Sequence, residues 1–112
     1  MFFYGGIIMD INELTDRSRK IREKYHRLEL KQDGHAWTPE QDALAFLTDA
    51  GLVGRLIMAQ EGSWPTDSND PTLEYKIAES IWWLSSLADS QSIDLESAMD
   101  KFLKSREEHL DD

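Results

Sequence analysis

The groups in this sequence with the chemistry to bind or activate a ligand are carboxylates on helical faces. Asp42 and Asp49 stand seven residues apart, so that on a helix they share a face. Glu79 comes later, beside Ile81, Trp82 and Trp83, while Asp49 is set among Phe46, Leu47, Ala50 and Gly51. A carboxylate in apolar surroundings is costly to bury unless it is paired, hydrogen-bonded or bound to a metal. Acids facing each other from two antiparallel helices can hold a hard cation. The alternative for Asp49 and Glu79 is a place at the edge of the packed face, ion-paired with Arg55 or Lys76.

Other chemistries lack their residues. There is no cysteine, which excludes disulfides and thiolate zinc sites and makes a reducing, cytoplasmic setting the default. No glycine-rich phosphate loop, G-x-S-x-G or H-E-x-x-H occurs. His26, His35 and His109 share no ligand spacing and read as surface residues. Trp37, Trp82 and Trp83 offer flat faces for stacking on a base, or else belong to the core or an interface.

Four helices are predicted to position these groups, with no strand alternation of useful length, so the fold class is all-α. The first opens at Asp10, with Glu13 as the distal half of a capping box and Met9 and Leu14 placed for a hydrophobic staple. Its apolar or small seam runs through Ile11, Leu14, Ser18, Ile21, Tyr25 and Leu28, and Gly34 ends it. A rod of roughly 33 Å with one narrow seam requires a partner helix along its length.

The second helix opens at Thr38-Pro39-Glu40-Gln41. It is apolar at Leu44, Leu47, Ala50, Gly51, Gly54, Ile57 and Met58. Each interior glycine costs about 1 kcal/mol relative to alanine, which close packing of another backbone would justify. A turn-rich loop from Gly62 to Pro71 follows, with Trp64 folding back onto the body. The third helix, predicted to open at Asp70-Pro71, carries Leu73, Ile77, Ile81, Leu84 and Ala88. The fourth opens at Asp94 and carries Leu95, Ala98, Met99, Phe102 and Leu103.

At 112 residues the chain holds one domain, assigned to residues 9–110, with residues 1–8 an N-terminal extension. The short apolar start has no positive n-region and no small-residue cleavage site, so it does not read as a signal peptide. No apolar run approaches the roughly 20 residues of a membrane helix. The net charge of -10 and the lack of a basic stripe exclude a nucleic-acid polymer as partner, but not a metal-carried nucleotide.

Several stretches resemble the MazG-like nucleoside triphosphate pyrophosphohydrolases, all-α enzymes. They are Trp37-Thr38-Pro39-Glu40, Phe46-Leu47-Thr48-Asp49-Ala50-Gly51-Leu52, Ile77-Ala78-Glu79-Ser80-Ile81-Trp82-Trp83-Leu84 and Ser92-Ile93-Asp94-Leu95-Glu96-Ser97-Ala98. Their order and spacing span Ile11 to His109. The resemblance implies a four-helix MazG-like bundle, assembled as a homodimer or a tetramer. It also implies Mg²⁺-dependent cleavage of a nucleoside triphosphate to the monophosphate and pyrophosphate, with Mn²⁺ as a substitute metal.

The family's metal set is an E-x-x-E pair on the second helix and an E-x-x-D pair on the third. Position by position these fall on Asp49 and Leu52, and on Lys76 and Glu79. Asp49 and Glu79 are thus the implied metal ligands and catalytic acids, and two of the family's four acids, one from each pair, are gone, replaced by Leu52 and Lys76. The resemblance places Lys76, Lys101, Lys104 and Trp83 toward the substrate. The alternative for the basic residues of the last helix is surface pairing with Asp100, Glu107 and Glu108. Lys76 lies one turn before Glu79, so its ammonium can either neutralise Asp49 and Glu79 or contact phosphate oxygens directly. Catalysis is therefore expected to be weakened or altered. The alternative is a non-catalytic nucleotide- or protein-binding module that keeps the fold.

Overall fold

The computed structural model describes residues 9–110, and the extension assigned to residues 1–8 lies outside the described residues. Four helices follow in order, α1 (Ile11–Asp33), α2 (Pro39–Gln60), α3 (Leu73–Ser90) and α4 (Leu95–Leu110), and no strand occurs among the described residues. Polar side chains start each helix. Asp10 accepts the backbone N–H of Glu13, which forms one half of the expected box. Thr38 and Gln41 form both halves at the start of α2. Asp94 accepts the backbone N–H of Ser97 at the start of α4. Gly34 closes α1 with a left-handed φ of 81°, a conformation that glycine adopts without steric cost.

One start differs from the sequence reading. α3 is capped by Thr72, whose hydroxyl accepts the Tyr75 N–H, rather than by Asp70. Asp70 instead closes a turn with Asp67, accepting its backbone N–H and donating its own N–H to the Asp67 carbonyl. The turn competes for Asp70 and leaves the cap to the next suitable hydroxyl.

α3 is the central helix. It packs against α1, α2 and α4, and α4 also touches α1. The backbones of α1 and α2 lie on either side of α3 and do not meet. The result is open rather than closed. The radius of gyration is 17.0 Å, where a compact chain of this length has about 13 Å. The accessible surface is 8832 Å², against the roughly 6300 Å² typical of a monomer of this mass.

The interior is correspondingly small and polar. Trp83 is the only hydrophobic side chain buried among the described residues, and Ser18, Arg22, Glu29, Asp42, Ser85 and Ser86 are buried with it. The α1 seam is therefore only partly used. Ile11, Leu14 and Ser18 face inward, but Ile21, Tyr25 and Leu28 stay exposed while Arg22 and Glu29 take the inner face. The close approach expected at Gly51 and Gly54 is also absent among the described residues, none of which lies within 4 Å of a side chain built at either position. Both face outward with exposed Leu44, Leu47, Ile57 and Met58.

Candidate functional site

The packing of α2 on α3 brings Asp49 and Glu79 together around Lys76. The Lys76 ammonium donates to Glu79 Oε1 at 2.7 Å and to Asp49 Oδ1 at 3.0 Å. The second Asp49 oxygen accepts the Trp83 indole N–H at 2.7 Å. Asp49 is thus satisfied on both oxygens, one by a cation and one by a neutral donor. The Lys76–Glu79 contact follows from one turn of α3, whereas the Asp49 contact requires the α2–α3 packing. The Glu79 hydrogen bond, outweighing desolvation and helped by Asp49, raises the Lys76 pKa above its ordinary value, so the ammonium stays charged. Of the two ion-pair partners weighed from the sequence, Lys76 is the one engaged, while the Arg55 guanidinium lies 4.2 Å from the centre of the Trp64 ring.

A second charged cluster was not legible as a site. Arg22 donates from Nε and Nη2 to Asp42, at 3.1 and 2.6 Å, and from Nη1 and Nη2 to Glu29, at 2.8 and 3.2 Å. Glu29 Oε1 also accepts the backbone N–H of Trp37 at 2.7 Å. Burial alone would raise the Glu29 pKa, but the bonds from Arg22 and Trp37 together hold it below the ordinary glutamate value. Asp42, read from its spacing as sharing a face with Asp49, belongs to this cluster instead. The signal available beforehand was that Arg22 and Glu29, of opposite charge, lie seven residues apart on one helical stripe.

The aromatic residues connect the two clusters. The Trp82 and Trp83 rings lie 4.7 Å apart at 56°, and Tyr25 lies 5.8 Å from Trp82 at 55°. The Arg22 guanidinium stands 5.6 Å from the Trp83 ring. Trp83, which the resemblance places toward a substrate, is 8 % exposed and held by Asp49. Lys101 and Lys104 are exposed on α4, with Lys104 ion-paired to Asp100 at 2.8 Å in the surface pairing weighed as the alternative. His35 and His109 are on the surface as expected, and His26 is half-buried.

Among the described residues no group of three or more acids, histidines or cysteines is placed to hold a metal ion. The donors present suit a hard cation poorly. Three of the four oxygens of Asp49 and Glu79 already accept hydrogen bonds, and Leu52 supplies no donor. No family model matches the chain, and searches of curated proteins and of solved structures return no match.

Proposed function

We propose that this chain is a homo-oligomeric MazG-like module, of the nucleoside triphosphate pyrophosphohydrolase kind, in which Lys76 has taken the place of the metal and catalysis is lost or much reduced. The observation that carries this reading is the Lys76 ammonium seated between Asp49 and Glu79. In-line hydrolysis of a triphosphate needs a metal to activate water and neutralise developing charge. A tethered ammonium neutralises the acids but gives the water no Lewis acid. The sequence stretches quoted above support the family reading, and it is that resemblance which places Lys76, Lys101 and Lys104 toward the substrate.

A second reading, weak hydrolysis with one Mg²⁺ or Mn²⁺, draws on the survival of two acids and on Glu79 Oε2, which accepts no hydrogen bond among the described residues. The deciding experiment measures pyrophosphate release from a panel of nucleoside triphosphates with each metal, using Glu79→Gln as control. Calorimetry with a non-hydrolysable triphosphate accompanies it. Metal-independent binding without release supports the first reading. Release that Glu79→Gln abolishes supports the second. Neither binding nor release overturns both.

The oligomer rests on apolar faces that the chain leaves open. One is the α2 face with Leu44, Leu47, Gly51, Gly54 and Met58, in the 3-4 spacing of a helix-packing seam. The other is the α1–α3 groove lined by Ile21, Tyr25, Tyr75 and Trp82. One such face used symmetrically gives a dimer, and both together give a tetramer. Standard interfaces bury about 1600 Å² in total, and the surface excess of this chain is on that scale or larger.

A further inference from the structure

Between α1, α3 and the start of α2 lies a cavity of about 280 Å³. Tyr25, Trp37, Trp82 and Trp83 form its aromatic lining, Glu29, Asp33 and Glu79 its acidic lining, and Arg22 is the one cation in the wall among the described residues. Its walls are built rather than incidental. Trp37 is pinned at both ends, by its backbone N–H to Glu29 at 2.7 Å and by its indole N–H to Asp33 at 3.3 Å. Trp83 is fixed by Asp49 at 2.7 Å. Trp82 is held between Trp83 and Tyr25, each ring inclined by about 55° to it, so the ring faces point in different directions.

The charge around the cavity is mixed but negative in balance. Arg22 in its wall and Lys76 behind Glu79 are each shared by two carboxylates, with Asp42 and Glu29 on one and Asp49 and Glu79 on the other. Asp33 adds a further negative charge on the rim. Each triad therefore keeps an uncompensated negative charge. Glu79 Oε2 and Asp33 Oδ1 accept no hydrogen bond among the described residues. A phosphate would be repelled here. An organic cation would gain from the aromatic quadrupoles and from the carboxylates together.

We propose that this cavity binds a small organic cation of the substituted-ammonium class. The volume suits such a ligand and is below that of most drug-sized pockets. A strongly hydrated primary ammonium would lose more hydration on entering an aromatic site than a methylated one, which favours substitution on the nitrogen. The site shares Glu79 and Trp83 with the pyrophosphohydrolase reading but requires neither metal nor nucleotide.

The test titrates the full chain with tetramethylammonium and with choline, read by tryptophan emission and by calorimetry. The control is 3,3-dimethylbutan-1-ol, the uncharged isostere of choline. Saturable binding of the cations is expected, with the isostere weaker by about tenfold or more, since the isostere keeps the shape and loses the cation–aromatic attraction. Asp33→Asn, on an exposed rim residue, weakens choline binding several-fold without changing helix content. Trp37→Leu abolishes binding, with far-ultraviolet circular dichroism reporting that the fold is kept. Equal affinity for choline and its isostere, no saturable binding, or binding unchanged in Asp33→Asn and in folded Trp37→Leu would each overturn the proposal.

Discussion

Arg22 on α1 grips Asp42 on α2 with two nitrogens, Nε at 3.1 Å and Nη2 at 2.6 Å, although the backbones of the two helices do not meet. The same guanidinium holds Glu29, so three buried charged side chains form a strut across the face of α3. Such a strut has no neutral fallback. Removing one member leaves its partners charged in a dry place, which costs about 3–5 kcal/mol. Arg22→Met is accordingly expected to lose that much stability in urea unfolding at neutral pH. Asp89→Asn, which breaks the exposed Arg19 pair, should cost under about 1 kcal/mol. Equal losses in the two variants would mean that the buried strut contributes no more than a surface pair.

The same pairs set the acid limit of stability. Glu29 and Asp89 both titrate below their ordinary values, Glu29 because Arg22 and Trp37 together outweigh its burial and Asp89 because of Arg19. Their contributions are complete above the unfolded carboxylate values, near 4 to 4.5, and are lost as pH falls through the lowered folded values. Lys76 has the opposite sign. Its raised value gives a contribution that is complete below the unfolded value of 10.5 and is lost as pH rises through the folded one. Melting temperature against pH should therefore be flat between about pH 5 and pH 10 and should fall on both sides. The Glu29→Gln variant should show a shallower acid fall than the wild type.

Replacing the tethered cation tests whether Lys76 keeps a metal out. Mg²⁺ at millimolar concentration is expected to leave the wild-type melting temperature unchanged. Lys76→Glu sets three carboxylates where an ammonium now bridges two, and oxygen donors of this kind, completed by waters, can ligate Mg²⁺. In this variant the metal should raise the melting temperature by several degrees, because a ligand that binds only the folded state stabilises it. Identical responses in the two proteins would remove the view of Lys76 as a stand-in cation.

Gly54 distinguishes a free α2 face from a covered one. A side chain there meets nothing among the described residues, so in a monomer Gly54→Ala should stabilise the helix by up to about 1 kcal/mol. A helix from a second copy packed closely on Gly51 and Gly54 reverses the sign. The expected outcome is that Gly54→Leu and Leu47→Glu shift the sedimentation coefficient toward the monomer while helix content is kept. A monomeric wild type, or an assembly indifferent to both changes, would move the interface off α2.

The sequence carried the local structure because caps, turns and apolar spacing act over a few residues. Thr38-Pro39 with Gln41, Gly34 after Asp33, and Asp94 before Leu95 mark the ends of helices without reference to any other part of the chain. The contact between Lys76 and Glu79 follows from the same short-range geometry, and Lys76 was one of the partners weighed for Asp49. What spacing could not decide is which stripe of a helix turns inward, since that depends on the neighbour it meets. On α1 the apolar Ile21, Tyr25 and Leu28 stay outside while Arg22 and Glu29 go in, because Asp42 arrives from α2 to complete the charge pairing. Likewise Gly51 and Gly54 announce a close approach, but only the packing of α2 on α3 reveals that none of the described residues makes it. Short-range rules of backbone and cap fixed the helices, and the tertiary arrangement decided which charges are buried together and which apolar faces are left open.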